Sequence, residues 1–420
     1  MRLLIATVGS FGDVHPYLAI ALEAKARGHQ VTFATCAHYK EKIESEKLRF
    51  VAIPPDLSGF EFNEEARRRV MHPIDGSRYV IQEVFLPPIE EAYRILLEEA
   101  ANADVLLGST FALGIPLAAY KTKKPWFTSY LQPAAIFSIY DPPQVPAMPI
   151  MPWLRRFGTW PIRILKDFSN RGNRYFLKKL YELARRERIP SSAIPDIFGG
   201  ASPYGNLILF SKHFMEPTPD FPQPFTQCGF PFYDKQDAHS ATLPAPLEKF
   251  LNNGEPPIVF TLGTSAVLDP GRFFDEAAEA IHKTNRRGVL LVSKLHAEKY
   301  RTYNSTNLCI VDYAPHSQLM PRAHINIHQG GVGTTAQALR AGRPMIVVPF
   351  SHDQPDNAMR VERLGVSQTI GRNQLNAQRL IETINTLAAP QYATAAQHLA
   401  EKIRTEQAPQ QAVNTLESAR

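Results

Sequence analysis

Cysteine is scarce. The three cysteines among 420 residues, Cys36, Cys228 and Cys309, lie far apart and follow no ligand spacing, which argues against a disulfide framework or a zinc site and points to a reducing, cytoplasmic setting. No run of about 18 apolar residues occurs, so no segment is expected to cross a bilayer. The first apolar stretch, LLIATV, is broken by Gly9, Ser10 and Asp13; it is too short for a secretory signal and reads as a buried strand. No Asp-x-Asp pair, a common holder of a divalent ion, is present. Lys and Arg do not interleave with stacking aromatics as in a nucleic-acid module, although the net charge of +6 and a pI near 9.1 are mildly basic. Small phosphorylated molecules or an anionic membrane surface suit that charge, and the basic, aromatic stretch 153–180 reads either as a helical hairpin with an apolar inner face or as a weak peripheral membrane contact.

What is present is an alternation of strands and helices. RLLIATV, HQVTFAT, ADVLLGS and KPWFTSYL are strand-like, and PYLAIALEAKARG reads as a helix with Pro16 at its first position and Gly28 as its stop. The pattern restarts at PIVFTLGTSAV after a proline-rich stretch, Glu216 to Pro246. The length exceeds what one core fills. An α/β fold of two Rossmann-like domains facing across a cleft follows: 1–235, then a linker at 236–250, 251–405, and a C-terminal tail at 406–420.

Two turns carry chemistry. In INIHQGGVGTTAQALRAGRPMIVVPFSHDQPDN, residues 325–357, a strand ends at His328 and the loop Gly330, Gly331, Gly333 leads through Thr334 and Thr335 into a helix. Bare glycines and a helix N-terminus make a diphosphate cradle. The spacing Gly331-x-Gly333-x-x-Ala336, with Asp353 about 20 positions on, also satisfies the dinucleotide fingerprint of an NAD(P)-dependent oxidoreductase. The other turn, GSFGDVHP, brings Asp13 and His15 to a bend that is either an N-cap or part of an active site.

DYAPHSQLM together with HQGGVGTTAQALRAGRPMIVVPFSHDQPDN resembles the donor signature of GT-B-fold nucleotide-sugar glycosyltransferases, the superfamily of plant secondary-product, sterol and antibiotic glycosyltransferases. GSFGDVHPYLAIALEAKARGH is similar to the opening of the bacterial and sterol branches, and FPQPFTQCGFPFYD to the rhamnolipid rhamnosyltransferases. The resemblance implies that Tyr313 stacks on the base and the backbone at Ala314 reads its edge. His328, Gly330, Gly331, Gly333, Thr334 and Thr335 hold the diphosphate, faced by Thr264 and Ser265, and Asp353 and Gln354 bond the sugar hydroxyls. Gly12 makes room for the sugar, and Asp13 is the base, with His15 in reserve. Gln337 falls near the place of the ribose-binding Glu of the plant enzymes, which admits a dTDP-linked as well as a UDP-linked donor. The resemblance therefore implies an inverting, metal-independent transfer of a hexose or 6-deoxyhexose (glucosyl or rhamnosyl) with no cofactor beyond the nucleotide sugar. A non-catalytic nucleotide-sugar-binding protein is the remaining alternative. Aromatics of the first domain, Phe11, Phe85, Phe111, Tyr130 and Phe137, with Phe60, Phe62 and Tyr140, favour an apolar acceptor: a lipid, sterol, polyketide or flavonoid-like hydroxyl.

Overall fold

The computed structural model describes residues 1–58, 63–194, 201–234, 242–264 and 266–419. It divides into two units, one of residues 1–70, 74–233 and 406–420, the other of residues 71–73 and 234–405.

Among the described residues the first unit holds seven strands: β1 (Arg2–Ala6), β2 (Gln30–Thr35), β3 (Arg49–Ala52), β4 (Val105–Ser109), β5 (Trp126–Tyr130), β6 (Asn206–Ile208) and β7 (Phe225–Gln227). All pair in parallel, in the order β3-β2-β1-β4-β5-β6-β7. Its helices include α1 (Phe11–Ala26), α2 (Ile89–Ala101), α3 (Gly114–Thr122), α4 (Trp160–Phe176) and α5 (Lys178–Arg186). β1, β4 and β5 are almost wholly buried because helices cover both faces, which is why they read as continuous apolar runs rather than as alternation.

The second unit repeats the plan with six strands among its described residues: β8 (Ile258–Thr261), β9 (Gly288–Leu291), β10 (Leu308–Val311), β11 (Ile325–His328), β12 (Met345–Val347) and β13 (Ser367–Thr369). These are again parallel, in the order β10-β9-β8-β11-β12-β13. Helices α6 (Phe273–Thr284), α7 (Val332–Ala341), α8 (Gln354–Arg363), α9 (Ala377–Leu387) and α10 (Pro390–Arg404) pack around it. In each sheet the strand order reverses beside the first strand, between β1 and β4 and between β8 and β11. Ligands of doubly wound sheets bind outside the carboxyl ends of strands at such a reversal.

Two elements differ from the sequence reading. α1 begins at Phe11, five residues before Pro16, because Ser10 and Asp13 cap it reciprocally; Pro16 lies inside the helix. Proline has no N–H to give the Gly12 carbonyl one turn back, and the cap offsets that loss. Residues 406–420, set apart as a tail, contain the helix α11 (Ala408–Glu417), which belongs to the first unit. It buries Ala408, Ala412, Val413 and Leu416. Arg27 and His29 bond Glu417 at 3.1 and 2.6 Å.

Candidate functional site

Each switch point carries a turn from strand into helix, and the two turns are built differently. At the end of β1, Ser10 is the N-cap of α1. Its Oγ accepts from Gly12 N at 3.3 Å, while Asp13 Oδ2 accepts from Ser10 N at 2.8 Å and from Ser10 Oγ at 3.1 Å. Thr7 Oγ1 donates to the Asp13 carbonyl at 3.0 Å and Tyr39 OH to the Gly9 carbonyl at 3.1 Å. Gly9 has φ +134°, and a Cβ there would overlap the Asp13 carboxylate, so glycine is required for the carboxyl group to fold back over the turn.

Burial pushes the Asp13 carboxyl up to about 6, against the two Ser10 hydrogen bonds that favour its charged form. A carboxylate held near neutrality at a switch point is suited to accept a proton. One side chain therefore completes the helix cap and carries a carboxyl whose pKa lies near neutrality. His15 packs between Phe11 and Tyr233, with ring centroids at 4.9 and 5.0 Å, and Lys42 lies 4.7 Å above the Tyr233 ring.

At the end of β11 the helix is left open. Gly331 is the N-cap of α7 and supplies no side-chain cap. The first intrahelical bond there runs from Thr335 N to Gly331 O at 2.9 Å, so the amides of Val332, Gly333 and Thr334 precede the ladder and point out of the helix end. The Thr335 hydroxyl is buried with no hydrogen-bond partner among the described residues, a spare donor beside those amides. This end suits an anion as the end of α1, filled by its own carboxylate, does not.

The loop before α7 is shaped from three sides. Gly330 N donates to His328 Nδ1 at 3.0 Å, and His328 Nε2 faces Met345 Sδ at 3.4 Å. Burial, reinforced by nearby His316, pulls the His328 imidazole down to about 3. It is wholly buried, and in this structure its Nδ1 is taken up by the amide of the glycine loop. Gly330 has φ +88°, and a Cβ there would lie 2.6 Å from Val347 Cγ1 and 3.2 Å from the Gln354 carbonyl.

Asp353 and Gln354 open α8. Gln354 Oε1 accepts from Phe350 N and Ser351 N at 2.8 and 3.1 Å, which fixes the turn after β12. Asp353 Oδ2 accepts from Asn357 Nδ2 at 2.6 Å, and the same amide donates to the Gly330 carbonyl at 2.8 Å. Asn357 thus ties the carboxylate to the glycine loop. Sequence reasoning gave it no role, although its place four residues after Asp353 puts it one helical turn away. His352, just before, is left-handed at φ +57°, the kind of backbone strain found where a site fixes its neighbour.

Of the remaining candidates, Thr264 is exposed on the turn after β8, Tyr313 is half-buried and Ala314 buried at the start of a helical turn. Ser265, Phe60 and Phe62 lie outside the described residues, as does 236–241 of the expected linker. Gln337 Oε1 accepts from Arg340 Nη2 at 2.9 Å. Phe85 and Phe111 meet at a tilt of 49° with centroids 5.4 Å apart, and Tyr140 is 39% exposed. Tyr130 and Phe137 are core residues in this structure, 1% and 3% exposed; Phe137 clusters with Ile139, Met151 and Ile162.

Comparison with known proteins agrees with both halves. Residues 3–129 match the glycosyltransferase family 28 N-terminal domain, and residues 289–419 match the erythromycin biosynthesis protein CIII-like C-terminal domain. The chain is similar to O-mycaminosyltylonolide 6-deoxyallosyltransferase of Streptomyces fradiae, 29% identical over 409 residues that cover 92% of this chain and 89% of that protein. It is 27% identical over 405 residues to the sterol 3-beta-glucosyltransferase of Komagataella phaffii, covering 91% of this chain but only 31% of the relative. Among solved structures, the glycotransferase of kitacinnamycin shares the fold with a TM-score of 0.74 at 20% identity, covering 100% of this chain and 98% of that one. The glycosyltransferase VinC, solved in complex with dTDP, does so with a TM-score of 0.65 at 18% identity, covering 100% and 99%.

Proposed function

Because the chain belongs to the UDP-glycosyltransferase superfamily and is a glycosyltransferase of GT-B fold, we propose that it moves a hexose or 6-deoxyhexose from a dTDP- or UDP-sugar to a hydroxyl of an apolar acceptor, with inversion. The observation that carries this reading is the contrast between the two helix ends. α1 closes its N-terminus with a carboxylate of raised pKa, whereas α7 presents uncapped amides and a spare hydroxyl. The first suits a base, the second a leaving diphosphate.

Asp13 takes the acceptor's hydroxyl proton, and the acceptor oxygen forms a bond to the anomeric carbon. The bond from that carbon to the phosphate oxygen breaks, and its electron pair leaves with the diphosphate. The amides of Val332, Gly333 and Thr334, with the Thr335 hydroxyl, stabilise the charge that develops there. Asp353 bonds sugar hydroxyls from a position Asn357 fixes, Gln354 sets the turn beneath, and Tyr313 stacks on the base. With Gln337 near the place of a ribose-binding acid, the 2′-hydroxyl is not demanded, and three structural neighbours hold thymidine diphosphate or dTDP. The chemistry needs no cofactor beyond the sugar nucleotide, and the sequence lacks the Asp-x-Asp pair that would clamp a divalent ion to the diphosphate. The acceptor is a hydrophobic natural product or sterol-like alcohol, the class named in the relatives.

A thermal-shift screen with UDP, dTDP, GDP and NADP, followed by transfer assays with the matching sugar nucleotides, tests the donor. A ligand at 100 times its dissociation constant stabilises the native state by about 2.7 kcal/mol, so dTDP or UDP should raise the transition clearly. Stabilisation by NADP with none from UDP or dTDP sinks the proposal.

The pH dependence tests the base. Asp13 works only when ionised, so kcat/KM should rise with pH through about 6 and level off above it. His328 and His316, pulled down to about 3 and about 4, cannot supply that limb. The same shift acts on stability with opposite sense. The fold favours the protonated carboxyl, so Asp13's contribution is complete below the ordinary carboxylate pKa and is lost as pH rises through about 6. A pH–rate profile measured for wild type and His15→Asn should show the limb in both; its loss in His15→Asn would transfer the base role to His15.

A further inference from the structure

The side of α4 (Trp160–Phe176) turned away from the core carries a row of large apolar side chains. Trp160, Ile164, Phe168 and Tyr175 are 63, 59, 75 and 82% exposed. Steps of four, four and seven residues place them on one side of a helix. The other side is already occupied: Ile162 packs with Phe137, Ile139 and Met151, and Phe176 packs against the cluster holding Leu177 and Leu180. Just before the helix, Trp153 and Phe157, 50 and 56% exposed, meet edge to face at 5.1 Å. Soluble monomers rarely leave so many large apolar side chains in water along one helix face.

Charge says what covers it. From Trp153 to Leu180 the sequence places Arg155, Arg156, Arg163, Lys166, Arg171, Arg174, Lys178 and Lys179 against one acidic residue, Asp167. Lys166 and Lys178 reach Asp220 and Glu182, each at 3.7 Å, while Arg156, Arg163, Arg171 and Arg174 stand exposed around the apolar row. A rim so strongly of one sign opposes a second copy of the same face and favours an anionic surface. No helix among the described residues is long and apolar enough to cross a membrane.

We propose that α4 and the turn before it dock onto an anionic lipid bilayer, lying in the interfacial plane with the Trp153–Phe157 pair, Trp160 and Phe168 inserted and the arginines against lipid phosphates. This docking is independent of the proposed glycosyl transfer, since it is measured without donor or acceptor.

Two of the three tryptophans, Trp153 and Trp160, lie on the patch and the third, Trp126, is buried, so intrinsic emission reports insertion directly. The full chain is mixed with vesicles of phosphatidylcholine alone or doped with phosphatidylglycerol, and both co-sedimentation and emission are followed. Phosphatidylglycerol vesicles should capture the protein and shift its emission to the blue, and salt should weaken capture. The double variant W160S/F168S removes two exposed side chains, so the fold is not at stake, and partitioning should fall on the order of tenfold or more per residue. R163E/R171E should abolish the preference for phosphatidylglycerol. The proposal is overturned if anionic vesicles capture nothing at low salt or capture W160S/F168S as well as wild type. Light scattering that shows a wild-type dimer turned monomeric by W160S/F168S would overturn it too, by assigning the patch to a protein interface.

Discussion

Replacing Asp13 by Asn should lower the transfer rate by about 10²–10⁴-fold while the melting transition and the shift induced by nucleotide stay near wild type. The amide oxygen of Asn can still accept from Ser10 N and Ser10 Oγ, the two bonds that make Asp13 the return half of the cap, so α1 keeps its start. What Asn cannot do is hold the acceptor's proton. Asp13→Ala serves as the contrast, because it removes cap and base together and should also cost about 1 kcal/mol of stability. Near-wild-type turnover in Asp13→Asn would rule out the carboxylate as base and leave His15 as the group to test.

Gly330→Ala should be the most damaging small substitution in the second unit. The φ of +88° costs a side chain about 1–2 kcal/mol. The added carbon also meets Val347 Cγ1 at 2.6 Å, in a buried strand that cannot retreat, which adds roughly 1–3 kcal/mol of overpacking. The combined loss should lower the melting temperature of this unit by roughly 5–15 °C. It should also remove the nucleotide-induced shift, because the Gly330 carbonyl is the anchor of Asn357 and its amide that of His328. A variant with wild-type nucleotide affinity would mean that the loop does not hold the diphosphate.

Much of the fold was legible because buried parallel strands and glycine-ended helices write themselves as apolar runs and punctuation. The duplication of that pattern gave two sheets, and each site turn sits at a strand end where small residues cluster, at Gly9–Ser10 and Gly330–Gly331. Less legible was anything decided by which atom a polar group meets. Pro16 looks like a helix start until the reciprocal bonds of Ser10 and Asp13 are seen. Phe111 and Tyr130 have the same aromatic character in a string of letters, yet one is half-buried and the other is sealed in the core. Asn357 draws its role from two acceptors at once, the Asp353 carboxylate one helical turn before it and the Gly330 carbonyl, whose approach only the fold reveals. The outward row on α4 was half visible: the composition was plain, but only the packing of Ile162 and Phe176 fixes which side faces out.

The placement of α11 in the first unit bears on how this enzyme can be re-engineered. Chain 234–405 is topologically an insert within a unit that begins at Met1 and finishes beyond Glu406. A chimera made with a single crossover near 234 would import a foreign final helix and lose the pairing of Arg27 and His29 with Glu417. Exchange of the second unit is therefore a cassette problem with two junctions, one near 234 and one near 405, the second leaving the native C-terminal helix in place.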